Sequence, residues 1–275
     1  MRLGLDYAGG RPDPQAIRAA GYDFVVRYLS DGGPGLPGKL LTPDEADGLR
    51  RAGVDIVANW ETTANRMLGG FPAGQYDATL ALAQAQACGM PTGRPIYFSA
   101  DWDAAEDEQG PIDDYLRGAA SVLGAENVGI YGGYWPASRA LNDQTAQWEW
   151  QTDAWSGGNT DDRRKMHQRI EQVWVDGVQC DVNEAVVDDF GQWSYIPAPN
   201  QEEDMADIDT VIGDIREQLC GQGAREQGYP GWVQLGQNPD GSNRDLVDAI
   251  AFALSEIAEI KAAVKPAATP PGVAQ

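Results

Sequence analysis

The chain has 275 residues, enough for one large domain with an appendage or for two ordinary domains. With 42 acidic against 20 basic side chains, its formal charge of −22 repels phosphate backbones and anionic lipid, which argues against nucleic-acid and membrane partners. The single histidine, His167, rules out multi-histidine metal sites, and the widely spaced Cys88, Cys180 and Cys220 form neither a disulfide framework nor a zinc pattern, so no cofactor or metal is expected.

The N-terminus reads MRLGLDYAGG, whose apolar run is too short for the core of a signal peptide, and no stretch approaches the roughly 18 apolar residues of a membrane helix. Short apolar runs then alternate with amphipathic segments through the first 135 residues, the pattern of βα units around a parallel sheet. A first strand is predicted over Leu3–Tyr7, with a helix following in PDPQAIRAAG. The second, Asp23–Leu29, leads to TPDEADGLRRAG, where Thr42 suits a helix N-cap, Pro43 the first helical position and Gly53 the residue past the end.

The third strand is predicted over Val54–Trp60, before a helix from Ala73 to Cys88. The fourth, Pro95–Asp101, precedes a helix over Ile112–Leu123, and the fifth begins at Val128 and leads into a short helix after Trp135. After that the rhythm changes. Glu149–Ala154, Ile170–Trp174 and Gln179–Asn183 read as strands with little room for helices between them, and His167 falls in a polar stretch expected to be an exposed loop or helix. The expected architecture is α/β: a TIM-like (β/α) barrel of the five-helix, eight-strand type over residues 1–195.

Near Ser194 the barrel pattern stops, and residues 196–203 form a proline-bearing acidic linker. Residues 204–265 read as a helical region in which Met205, Ile208, Ile212, Ile215 and Leu219, and later Leu246, Ile250, Ala253, Ile257, Ile260 and Val264, recur at spacings of three and four. Seams this narrow predict self-association or attachment to another protein, the alternative being a helical hairpin folded on itself or on the barrel, with a disordered tail over 266–275.

In such a barrel the C-terminal ends of the strands carry the site, so position on a strand gives a carboxylate its meaning. Asp6 ends the first strand, Glu61 follows the third in NWET, and Asp101 and Asp103 end the fourth in YFSADWDA; Asp181 on the last strand is a further candidate. Mutual repulsion among carboxylates in a partly buried pocket raises at least one pKa, giving the protonated acid and ionised partner that glycoside cleavage uses. Tyr7, Trp60, Trp102, Tyr131 and Trp135 lie beside these acids and are candidates to offer a flat face to a sugar ring. A calcium loop in DWDAAEDE is excluded, because Ala105 replaces a ligand and Glu106 stands where the turn needs glycine.

Taken together, GLDYAGG, NWET, YFSADWDA, GIYGGYW, QVWVDGVQCDVNEA and DDFGQW resemble the glycoside-hydrolase-like domain of unknown function found in actinobacteria and their phages, itself similar to the family 25 lysozymes. The resemblance spans residues 1 to about 195 and implies a muramidase-like hydrolase acting on peptidoglycan or another cell-wall glycan. It implies that Asp6 matches the first-strand aspartate, Asp101 the first acid of the fourth-strand motif, and Asp103 the second acid, a glutamate general acid in the lysozymes. The stretch YPGWVQLG with LVDAIA resembles the tails of phage lysins and minor tail proteins. It implies a protein of the virion, or of the host cytoplasm until lysis, that is held to itself or to a phage structural protein by its C-terminal helices. The alternative is a catalytically inactive, carbohydrate-binding tail protein.

Overall fold

The computed structural model describes residues 2–193, 219–220 and 231–263, and the chain divides into two units between Tyr195 and Ile196. The first unit is a closed barrel of eight strands in chain order: β1 (Arg2–Asp6), β2 (Phe24–Tyr28), β3 (Asp55–Trp60), β4 (Ile96–Ser99), β5 (Val128–Gly132), β6 (Trp148–Thr152), β7 (Met166–Val175) and β8 (Val178–Ala185). Neighbours from β1 to β7 pair in parallel, whereas β8 runs antiparallel to both β7 and β1. Five helices cover the outside: α1 (Pro14–Ala19), α2 (Pro43–Arg51), α3 (Gly70–Ala87), α4 (Gln109–Leu123) and α5 (Tyr134–Asn142). The five-helix, eight-strand architecture is therefore present.

Local chemistry sets the helix ends. Thr42 Oγ1 accepts from the Glu45 amide at 3.3 Å with Pro43 at the first helical position, and Gly53 adopts φ 72° just past the end of α2. Asp13 caps α1 by accepting from the amides of Gln15 and Ala16. α3 and α4 meet backbone to backbone: a Cβ on Gly118 would lie 2.2 Å from the Phe71 carbonyl oxygen, and one on Gly74 would lie 1.9 Å from that of Tyr115.

Strand alternation sorts the core into two layers. Phe24, Val26, Val57, Tyr97, Tyr131, Trp150, Met166 and Ala185 fill the barrel, while Leu5, Val25, Ile56, Ala58, Ile96, Phe98, Ile130 and Val182 pack beneath the helices. Beyond β8 the chain crosses the floor of the barrel. Phe190 stacks on Phe24 with ring centroids 4.7 Å apart and its carbonyl accepts from the Tyr97 hydroxyl at 2.9 Å, closing the base. Trp193 then exchanges backbone hydrogen bonds with Ile56, at 2.8 and 3.2 Å.

β7 and β8 form a hairpin around Asp176 and Gly177, whose φ angles of 47° and 75° are those of a type I′ turn between the paired Val175 and Val178. His167 is not in an exposed loop or helix. It lies on β7, largely covered, with Nε2 2.7 Å from Asp153 Oδ1, because the strand begins at Met166, earlier than its apolar run suggests. All three cysteines are free thiols.

Within the second unit, a short turn closed by Gln237 and Asn243 leads into α6 (Leu246–Ala263), and the Arg244 guanidinium lies 3.6 Å from the Phe252 ring centroid. Leu246, Val247, Ile250, Leu254 and Ile257 are exposed on this helix. The expected linker at 196–203, the apolar run from Met205 to Ile215, Val264 and the tail at 266–275 fall outside the described residues. No described helix is long and apolar enough to cross a membrane.

Candidate active site

The inner face of each strand continues upward from the apolar core into polar residues. Counting by two from Phe24 and Val26 gives Tyr28; from Val57, Asn59 and Glu61; from Tyr97, Ser99 and Asp101. On β8, which runs downward, the same count from Ala185 gives Asn183 and Asp181.

Asp6 is the centre of this layer. It is 2% exposed, accepts from the Tyr28 hydroxyl at 3.0 Å through Oδ1, and from Gln168 Nε2 and Asn183 Nδ2, each at 2.8 Å, through Oδ2. A further ring of bonds holds those donors: Tyr131 Oη donates to Gln168 Oε1 at 2.7 Å, and Trp150 Nε1 donates to Asn183 Oδ1 at 2.9 Å. Asp6 faces Asp181 directly across the β1–β8 pairing. Burial, then the Asp181 charge, push the Asp6 carboxyl up to about 7, against the pull of its three donors.

Asp101 occupies the mouth with Glu61 and Asp181. Burial raises its carboxyl to about 6, the Glu61 and Asp181 charges add to the rise, and Lys39 opposes it. The Lys39 ammonium is almost fully covered, 2.8 Å from Glu61 Oε1 and 4.9 Å from the centroid of the Tyr28 ring. Four carboxylates, Asp6, Glu61, Asp101 and Asp181, thus act on one another at a single rim with one buried cation among them. Among the described residues no group of acidic, histidine or cysteine side chains is gathered tightly enough to hold a metal ion.

Asp103 stands apart. It is exposed in the loop after β4 and has no hydrogen bond or ion pair among the described residues. Trp60 is buried in the layer beneath the helices, since the alternation that sends Glu61 inward turns its neighbour outward. Tyr7 points outward as well, with its hydroxyl 3.0 Å from Glu45 Oε1 and its ring beneath the Arg27 guanidinium, so it does not offer a free face to a sugar. Trp102 is partly buried and donates to Glu108 Oε2 at 2.9 Å. Tyr131 is buried in the Asp6 network, and Trp135 is exposed on α5 against Tyr134.

A cleft of about 440 Å³ opens above Asp6 and Asp181, bounded by Tyr28, Leu36, the loop at Ala8 and Gly9, and the hairpin residues Gln172, Trp174 and Gln179. Sequence reasoning missed Tyr28, Lys39, Gln168, Asn183 and the hairpin wall. All but Lys39 lie on strands, where the two-residue count registers them once the strands are placed. Lys39 sits in the loop after β2, and no periodicity marks it.

The model of the Rv2525c-like, glycoside hydrolase-like domain matches residues 15–188, and that of the Rv3766 C-terminal domain matches residues 197–260. Rv2525c of Mycobacterium tuberculosis, provisionally named a peptidoglycan hydrolase, is 36% identical over 201 residues, covering 69% of this chain and 83% of the relative. The crystal structure of the Tat-secreted Rv2525c in complex with L-tartrate superposes with a TM-score of 0.67 at 34% identity, covering 70% of this chain and 99% of that one. An uncharacterised protein of B. stearothermophilus shares the fold at a TM-score of 0.52 and 21% identity, covering 67% of this chain and 96% of its own.

Two expectations change. The C-terminal stretch that resembled phage lysin and tail-protein tails is matched instead by the Rv3766 C-terminal domain. Placement in a virion or in the host cytoplasm is overturned by the Tat-secreted relative. The barrel, the match across most of the first unit and the identity to Rv2525c lead to one assignment: the chain belongs to the family of Rv2525c-like, glycoside hydrolase-like domains.

Proposed function

We propose that this chain is a lysozyme-like glycoside hydrolase that cuts peptidoglycan outside the cytoplasm. The observation that carries this reading is the pair of unlike carboxyl environments at one mouth. Asp101, pushed up to about 6, holds a proton in mildly acidic conditions, while Asp6, opposite Asp181 in the β1–β8 pairing, is pushed up to about 7 by burial and by the Asp181 charge. Asp101 donates its proton to the glycosidic oxygen as the bond breaks. The Asp181 charge beside Asp6 stabilises the positive charge that develops on the sugar ring, and a water molecule then bonds to the anomeric carbon and returns a proton to Asp101. Glu61, tied to Lys39, adds negative potential that keeps the Asp101 proton in place. On this reading Asp101 takes the acid role and Asp103 lies at the edge.

The test is release of reducing ends from purified peptidoglycan. Asp101→Asn is expected to lower the rate by roughly 100-fold or more, the usual scale for loss of a general acid, and Asp103→Asn to lower it by less than about tenfold. The wild-type rate should fall as pH rises through about 6, because the acid must be protonated to act. Equal losses in both variants would return the acid role to Asp103.

A second reading, a carbohydrate-binding protein without hydrolytic activity, draws on the same Asp103. The lysozymes carry a longer glutamate at that place, and here the shorter side chain is exposed and bonded to nothing among the described residues. Wild-type protein that binds peptidoglycan and releases no reducing ends at any pH would favour it.

A further inference from the structure

β7 is ten residues long and β8 eight, whereas most strands of the barrel have five or so, and the excess carries their hairpin beyond the rim. The pairing register sets Gln172 opposite Asp181 and Trp174 opposite Gln179. Val173, Val175, Cys180 and Val182 pack with the layer beneath the helices, so the alternate residues Gln172, Trp174, Gln179 and Asp181 share the opposite face. That face continues the inner wall of the barrel upward as one side of the cleft.

Three features of this wall suit a sugar ring. Trp174 is 70% exposed, an unusual cost for the largest apolar side chain unless its flat face has something to meet. Beneath it the amides form a chain: Gln179 Nε2 donates to Gln172 Oε1 at 2.6 Å, and Gln172 Nε2 donates to Asp181 Oδ1 at 2.8 Å. The chain fixes which way each amide points, and Gln179 keeps its oxygen for an incoming hydroxyl or acetamido N–H. The wall also ends on Asp181, the partner of Asp6, so a ring held there is adjacent to the reacting bond. A cleft of about 440 Å³ lies within the roughly 300–1,000 Å³ of small-ligand sites.

We propose that the β7–β8 hairpin is a specificity wall that binds one pyranose ring of the glycan next to the bond to be cut. Trp174 stacks on the ring's apolar face, and the Gln179–Gln172–Asp181 chain reads its polar edge. The proposal rests on the hydrolase reading for its place in the reaction, and on the hairpin geometry for its existence.

The experiment measures hydrolysis of solubilised peptidoglycan glycan strands together with calorimetric binding of the N-acetylglucosamine tetramer, on the full chain and on its Trp174→Ala and Trp174→Phe variants. Trp174→Ala is expected to raise KM and Kd at least tenfold with kcat within about threefold, and Trp174→Phe to recover most of the loss. Because Trp174 is exposed, the melting temperature should stay within a degree or two. Wild-type hydrolysis with an unchanged KM in Trp174→Ala overturns the wall and leaves the hydrolase. Binding that is lost in Trp174→Ala, with no cleavage by wild type, upholds the wall and removes the hydrolase. A wild type that neither binds the tetramer nor cleaves the strands overturns both.

Discussion

Asp6 has three hydrogen-bond donors and still resists ionisation, because burial and the facing Asp181 outweigh them. Its folded pKa of about 7 lies above the ordinary value of 3.8, so between those pH values the folded chain keeps a proton that the unfolded chain has released. The contribution of this group to stability is therefore full below about pH 4, declines as pH rises towards 7 and is flat above. Asp6→Asn removes the titration while an amide oxygen can still accept from Gln168 and Asn183 and the amide nitrogen can donate to Tyr28. Relative to wild type, this variant should gain roughly 3 to 4 kcal/mol on passing from pH 4 to pH 8, measured by denaturant unfolding at both pH values. A difference independent of pH would show that Asp6 ionises normally. At this scale the sequence disclosed the acids and concealed their keepers. Asp6, Glu61 and Asp101 stand out as charges at strand ends, whereas Gln168 and Asn183 look like any polar residue until alternation places them inside the barrel. The same alternation, applied strictly, would have turned Trp60 and Tyr7 away from the mouth.

Elements show a different balance. α2 was legible in detail, since Thr42, Pro43 and Gly53 each do locally what their chemistry favours. Thr42→Ala should cost about 1 kcal/mol in thermal or chemical unfolding, the usual loss for a cap. The contact of α3 with α4 was not legible, because a glycine inside a helical run gives no sign of which backbone will approach it. Gly118→Ala puts a methyl group against the Phe71 carbonyl, a rigid atom, and should cost about 1 to 3 kcal/mol. Were it neutral, the two helices would not be in backbone contact. The β7–β8 hairpin falls between these cases: its Asp-Gly turn is a strong local signal, and reading it as such would have given the reversed direction of β8 along with the strands themselves.

For the molecule as a whole, closure of the barrel leaves no open sheet edge among the described residues of the first unit, and the described members of its two core layers all lie within residues 2–193. A chain ended at Tyr195 should therefore melt cooperatively, within a few degrees of the full chain's barrel transition, and run as a monomer. The exposed Leu246, Val247, Ile250, Leu254 and Ile257 of α6 lead us to expect that the full chain associates in light scattering, since short helices with a narrow apolar face are marginal without partners. A strictly monomeric full chain would refute that expectation. The reversed direction of β8 has one more effect. The polypeptide descends that strand to the base, where Trp193 is stitched to Ile56, so an anchor grafted onto Trp193 itself grips the barrel from below. A barrel ended at Trp193 and immobilised on a sensor surface through that end would stand upright like a cup on its foot, its opening turned to the bulk solution and accessible even to insoluble sacculi.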